Sequence, residues 1–374
     1  MIVPPLKEMT DTRAAFGKAL SWHCTSVFVT DSESSNCGAI LHGFDGRSGK
    51  PLDVYTEATG YAISLFHFLA RTRGDAPLLA MAKEAAQFLM RIQAGEAAYP
   101  QPSNGAAAPA RLYAFDNAVC IVGMARLLRA TGDERYLRSA LAAGEWLLSM
   151  QRPDGSFSAM ALRGGGMEDP GGFFGDGSCI HAKNAVAFLE LHAMTGREQF
   201  REAAARACRY TIGLQDKDGA FWSRRNRRGV VTHAHCYACE GLLFAGHALG
   251  EARYTTAAGR GIQWLADAQG SDGAWLATHK TAWSLRGTLE SIRRRRPSDA
   301  AAQAARLFSL TAPRYEQNRR SALQFLMGCQ KSNGAFSYQR TTFGYTHELY
   351  TWCAQFAVQA LAWDTRSAAI EDLF

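Results

Sequence analysis

Gln215-Asp-Lys-Asp218-Gly219-Ala-Phe221 is the stretch on which the fold turns, because the chain repeats it. Gln151-Arg-Pro-Asp154-Gly155-Ser-Phe157 comes before it, and Gln269-Gly-Ser-Asp272-Gly273-Ala-Trp275 and Gln330-Lys-Ser-Asn333-Gly334-Ala-Phe336 come after. The order is constant: Gln, an acid or amide three residues on, Gly four on, an aromatic six on. A degraded copy runs from Gln93 to Tyr99. Repetition at a period of about 60 residues means that one supersecondary unit is being copied. Its physical content is a helix stop. Asp/Asn-Gly supplies the positive-φ corner that ends a helix, and the aromatic packs back beneath the turn.

Between the stops lie pairs of helical patterns. One helix of each pair is amphipathic and alanine-rich, over about 78–93, 134–151, 198–215, 252–269 and 315–330, with a further copy at about 8–26. Such helices are exposed on one side. The other set is apolar nearly all round and is expected to be buried: about 54–71, 116–131, 180–196, 234–249, 281–296 and 347–363. The fifth of these is blurred by Arg293 to Arg296 and Pro297. Short turns such as Thr131-Gly132-Asp133 join a buried helix to the next exposed one, which makes antiparallel neighbours. The reverse connections are long and all follow the stop phrase. The pattern predicts an inner ring of helices within an outer ring, with the inner N-termini and the long loops gathered at one mouth. Loops on a rigid scaffold are where function concentrates.

This organisation resembles the (α/α)6 barrels, or α/α toroids. The group includes six-hairpin glycosidases, unsaturated glucuronyl hydrolases, N-acylglucosamine 2-epimerases, and the squalene cyclase and prenyltransferase toroids. The resemblance covers nearly all of the 374 residues and implies one all-α barrel domain over 1–374. It implies less about chemistry, since one toroid hosts hydrolases, epimerases, lyases and cyclases.

Composition agrees with a large core: 47% hydrophobic and 20% charged residues, with no linker-like stretch. The start of the chain lacks the basic-then-apolar pattern of a signal peptide, and no apolar stretch reaches membrane-spanning length. Nine cysteines, an odd number, suggest free thiols in a reducing compartment, hence a cytoplasmic protein. The net charge of +7 has one cluster at Arg224 to Arg228, just before His233, where an anionic substrate would be drawn. Nucleic-acid binding would want a recognised module or aromatics interleaved with the basic residues, and neither is present.

The start of each expected inner helix carries acids, imidazoles and aromatics that an apolar helix does not need. These are Asp53, Tyr55, Glu57 and Tyr61; Asp116; Asp176, Cys179 and His181; His233 and His235; Trp283; and Tyr345, His347, Glu348 and Trp352. Converging on one cavity, they suit a polar ligand with flat faces, and a sugar meets that demand. Asp116 and Asp176 occupy equivalent places in adjacent hairpins, with Glu57 a rival member of the pair. Glycoside cleavage commonly uses two carboxyl groups, one protonated and one ionised. The resemblance to unsaturated glucuronyl hydrolases points the same way, since that family uses two aspartates about one hairpin apart. The plainer reading of these acids is helix capping and complementing the helix dipole.

The expectation is therefore a glycoside hydrolase of anionic, uronate-containing saccharides that needs no cofactor. Asp116, Asp176 and Glu57 are its candidate catalytic acids. Asp53, Tyr55, Tyr61, His181, His233, Trp283, Tyr345, Glu348 and Trp352 would contact substrate. An alternative is a sugar epimerase using His235 and His347, because proton removal beside a carbonyl needs groups that titrate near neutrality. Asp176, Cys179 and His235 also resemble the zinc ligands of protein prenyltransferase β subunits, and Asp, Cys and His are reasonable zinc ligands. A toroid that only binds a glycan or protein partner is the non-enzymatic alternative. The Asp-rich motifs by which terpene cyclases start a carbocation are missing.

Overall fold

The computed structural model describes residues 8–93, 95, 97–102, 109–280, 294–311 and 313–374. Helices alternate between buried and half-exposed. The buried ones are α2 (Thr56–Arg73), α4 (Ala114–Thr131), α6 (Asn184–Thr195), α8 (Thr232–Leu249), α10 (Ser298–Leu310) and α12 (Thr351–Asp364). Each packs on the next, and α12 packs back on α2, so the inner ring closes. The outer ring is α1 (Glu8–Trp22), α3 (Ala76–Gln93), α5 (Glu134–Ser149), α7 (Glu198–Ile212), α9 (Ala252–Ala268) and α11 (Glu316–Cys329). Every outer helix lies against one inner partner, with α1 completing the pair of α12. The fold is an α/α toroid.

The stop phrase does more than end a helix. Gln215 Nε2 donates to Gly219 O across the turn at 3.0 Å and to Ala257 O of the next outer helix at 2.8 Å. Gln269 and Gln330 repeat the gesture toward Asn318 O and Ala15 O, and the degraded copy at Gln93 reaches Ser139 O. The bond from Gln330 to α1 joins the last unit to the first. Gly219 sits at φ +98°, and a Cβ there would lie 2.4 Å from Arg260 O of α9. Glycine is therefore needed twice, for the corner and for the close approach of the neighbouring helix. The aromatics Phe157, Phe221, Trp275 and Phe336 are buried beneath the turns.

At the mouth, small antiparallel sheets stitch neighbouring units. Strand β2 (Arg111–Tyr113) leads into α4 and pairs with β3 (Met160–Leu162), itself paired with β4 (Met167–Glu168). Strand β5 (Val230–Val231) leads into α8 and pairs with β6 (Thr278–His279). Strand β7 (Arg296–Pro297) leads into α10 and pairs with β8 (Gln339–Thr341), which also pairs β9 (Gly344–Tyr345). Strand β10 (Glu348–Tyr350) leads into α12 and pairs with β1 (Gly43–Asp45), closing the circle at this level too.

Two expectations of the periodicity are corrected. The fifth buried helix is Ser298–Leu310, not 281–296. Its sequence, SDAAAQAARLFSL, is alanine-rich and reads like an outer helix, yet residues Ser298 to Phe308 are all buried. Residues 281–293, Trp283 among them, lie outside the described residues. The sixth buried helix begins at Thr351 rather than near 347, because Glu348–Tyr350 is held as a strand against Gly43–Asp45. All nine cysteines are free thiols, seven of them buried.

Candidate active site

Five of the six inner helices, all but α6, are anchored at the first residue by a backbone N–H reaching a neighbouring loop. Ala114 N donates to Ala159 O, Thr232 N to Ala277 O, Ser298 N to Tyr338 O and Thr351 N to His42 O. Thr56 N uses the Gln101 side chain at 3.0 Å instead. Anchoring the first residue fixes the rotation of the first turn, and the second residues then face the axis. They are Glu57, Phe115, His233 and Trp352, all on the wall of a cavity of about 650 Å³ at the mouth, and Asp299, set just behind His233. Asp116 and His181 join the same wall, with Asp53, Tyr55, Tyr113 and Tyr237.

Glu57 and Asp116 are the chemical centre. Asp116 is 5% exposed, and its Oδ2 meets no hydrogen-bond donor. Burial, and then the neighbouring Glu57 charge, hold its carboxyl well above the usual carboxylate range. Burial pushes Glu57 up to about 7, against the opposing pull of the Tyr55 hydroxyl and Lys183. Tyr55 OH donates to Glu57 Oε2 at 2.7 Å. The two carboxyl groups, from adjacent inner helices, interact strongly enough that ionising one disfavours ionising the other.

The imidazoles are neutral. Burial lowers His181 to about 4 and also lowers His233 and His42. His233 Nδ1 stands 3.3 Å from Asp299 Oδ2, and Trp352 Nε1 donates to that same oxygen at 3.0 Å. His42 packs between Tyr55 (ring centroids 4.7 Å apart) and Trp352 (5.1 Å), while Tyr350 stacks on Trp352 at 4.5 Å. Such a flat aromatic wall suits a sugar ring.

Of the expected site residues, Asp53, Tyr55, Glu57, Asp116, His181, His233 and Trp352 come together on this wall. The others do not. Asp176 is turned to the outer rim, where it is ion-paired with Arg152 and accepts from Ala159 N at 2.8 Å. His235 is fully buried behind the wall. Its Nδ1 accepts from Phe221 N at 3.0 Å, and its Nε2 lies 3.0 Å from Gly261 O. Successive helical residues are about 100° apart, so His233 and His235 cannot both face the axis. His347 is exposed in the turn before β10, and Tyr345 and Glu348 are exposed beside it. Tyr61 lies one turn below the wall, with its hydroxyl 2.8 Å from that of Tyr237. The zinc set Asp176, Cys179 and His235 is not gathered, and among the described residues no group of three or more His, Cys, Asp or Glu is placed to hold a metal ion.

The basic run is also reassigned. Arg224 pairs with Asp169 Oδ2 at 2.6 Å and Arg225 with Asp154 at 3.3 Å, both outside the cavity. The first pair holds the loop that carries Phe173 and Phe174 to the cavity wall. Sequence reasoning missed His42, Gln101 and Arg111, which lie in loops or a three-residue strand too short to show periodicity, and Asp299. The last was findable, because Pro297-Ser298-Asp299 is a helix-start pattern.

An α/α toroid with carboxyl groups and aromatics at the inner-helix N-termini defines the class. Residues 114–362 match the squalene-hopene cyclase C-terminal domain, and the chain belongs to that family. No curated protein matches the sequence. Among solved structures the chain is similar to a sugar epimerase from a ruminal bacterium, with a TM-score of 0.76 and 14% identity over 95% of this chain and 98% of that one. It is similar to cellobiose 2-epimerase from Spirochaeta thermophila, with a TM-score of 0.72 and 14% identity over 96% and 99%. It is also similar to an unsaturated glucuronyl hydrolase specific for heparin, with a TM-score of 0.68 and 12% identity over 95% and 96%. At such identities the likeness concerns the fold. Among the described residues no helix is long and apolar enough to cross a membrane.

Proposed function

We propose that this protein is a carbohydrate-processing enzyme that cleaves a glycosidic bond between Glu57 and Asp116. The observation that carries the reading is the Asp116 carboxyl, buried, unpartnered at Oδ2 and facing the same cavity as Glu57. Two carboxyl groups that disfavour each other's ionisation hold one proton between them near neutrality. Asp116, the more strongly raised, is the proton donor to the leaving oxygen. Glu57, ionising at about 7 and oriented by Tyr55, is the base or nucleophile. Trp352, Tyr55 and Phe115 supply faces for the sugar rings. The test is turnover of a panel of oligosaccharides and aryl glycosides. Asp116→Asn is expected to lose about 10²–10⁴-fold in rate, and unchanged turnover on every substrate that the wild type cleaves would sink the assignment.

A second reading rests on His233. A neutral imidazole on the cavity wall with a carboxylate 3.3 Å from its Nδ1 is equipped to take a proton from a carbon beside a carbonyl. It moves the epimerase alternative from His235 and His347 to His233, with Asp116 or Glu57 returning the proton. Deuterium from heavy water in the carbon skeleton of recovered sugar favours this reading, and its absence alongside bond cleavage favours the first.

A further inference from the structure

Among the described residues, buried polar atoms at the floor of the cavity are left without a partner. Asp116 Oδ2 meets no donor, and neither ring nitrogen of His181, itself 3% exposed, makes a hydrogen bond of good geometry. Glu57 takes the Tyr55 hydroxyl, and Asp53 adds a further carboxylate at the rim. Among the described residues, Arg111 is the cation on the wall, and it is hydrogen-bonded to Tyr113. Lys183, below the floor, is 2.5 Å from Glu240. Of the arginines expected to attract an anion, Arg224 and Arg225 are paired with Asp169 and Asp154, and none of the run lines the cavity.

We propose that the saccharide unit seated against Glu57 and Asp116 carries a free ammonium, as in an unacetylated amino sugar. This rests on the reading that the cavity takes a sugar. An ammonium offers three donors and no acceptor, whereas a uronate offers acceptors alone and would face acids. The surrounding faces of Tyr55, Phe115, Tyr237 and Trp352 attract a cation further. The position is also chemically apt. An amino group on C2 lies one bond from the anomeric carbon, so the unit that presents this carbon to the two acids brings its nitrogen within reach of Glu57. Positive charge there opposes the oxocarbenium-like charge that develops during cleavage. A site with two carboxyl groups and few cations offsets that opposition, and an anionic sugar would not need it.

Calorimetric binding to the full chain tests the idea, using glucosamine tetrasaccharide, its fully N-acetylated form, cellotetraose and an oligoglucuronate of equal length. The glucosamine oligomer is expected to bind about ten-fold more tightly than cellotetraose, with the oligoglucuronate weakest. Glu57→Gln should shrink that preference, whereas Asp116→Asn, which replaces a protonated carboxyl, should largely keep it. Equal or tighter binding of the oligoglucuronate or of the acetylated oligomer overturns the proposal, as does a preference unchanged in Glu57→Gln. An amine preference without any cleavage leaves the proposal standing while the hydrolase reading falls. Failure of all four saccharides to bind overturns both.

Discussion

Two sets of ionisable groups lie one above the other inside the inner ring, and they differ in whether the chain completes them. In the lower set, Glu240 accepts from Lys183 at 2.5 Å and from Arg306 at 2.5 Å. Arg306 goes on to Gln359 Oε1 at 2.9 Å and to Phe374 O at 3.0 Å, so the last residues of the chain close this layer. In the upper set, Glu57 and Asp116 face a cavity with one described guanidinium on its wall. Both sets come from the same inner ring, Lys183 from the 3-10 turn that leads into α6 and the others from its helices. The lower one is paired by the fold, apart from Arg306 Nε; the upper one keeps Asp116 Oδ2 without a partner, as the proposed saccharide site would require. A buried group whose partner is missing costs stability, and a fold keeps such a group where function requires it.

The sharpest way to break this contrast is to remove one carboxylate from each set and measure chemical denaturation. Glu240→Ala strands Lys183 and Arg306 without their shared partner and is expected to cost about 3–5 kcal/mol. Asp116→Asn removes a group that burial already disfavours, and should leave stability within about 1 kcal/mol of wild type or raise it. Similar losses in the two variants would mean that the upper pair is structural after all.

Next in size is the stop phrase, which is completed by the chain in the manner of the lower set. Gln215→Ala loses two hydrogen bonds, to Gly219 O and Ala257 O. It should cost about 1–3 kcal/mol in the same measurement, with no change in saccharide affinity. A change in affinity without a stability loss would contradict the assignment.

The pH dependence of stability gives a smaller effect with a defined sign. Folded Glu57 holds its proton up to about 7, against an ordinary value of 4.5. The folded state therefore binds more protons than the unfolded one between these values, and stability falls as pH rises through them. The contribution is fully present below the unfolded pKa and lost as pH passes the folded one. Thermal melts from pH 4 to 8 should show a decline that is shallower in Glu57→Gln. An equally steep decline in the variant would place the titration elsewhere.

Smallest is the rim. Arg224→Ala removes an exposed ion pair worth about 1 kcal/mol or less, so the melting temperature should barely move. Hydrogen exchange in residues 169–176 should speed up, because Asp169 also accepts from Gly171 N and Asp176 N. Unchanged exchange there would show that Arg224 does not hold this loop.

Much of the architecture could be read directly from the residues. The repeated Gln…Asp/Asn-Gly…aromatic phrase and the alternation of amphipathic with all-round apolar helices specify the ring, because each is a local pattern with a local cause. A glycine at φ +98° and a glutamine spanning its own turn need no distant information to be recognised. The fifth inner helix escaped because its alanines mark close packing, and alanine periodicity looks the same on an outer helix. Asp299 escaped with it.

The sequence by itself determined the ring, its mouth and the groups present there, Glu57, Asp116, His181, His233 and Trp352 among them. Tertiary structure alone decided which of them face one another. Near a helix start, a shift of one residue turns a side chain through about 100°, and the starts of five of the inner helices are fixed by bonds from the next loop. That is how His233 came to the cavity and His235 to the outer packing. It is also how a strand pairing with Gly43–Asp45 moved the last inner helix to Thr351 and left His347 outside. Hydrophobic periodicity carries the identity of a buried face, but the rotation of that face is set by neighbours far along the chain.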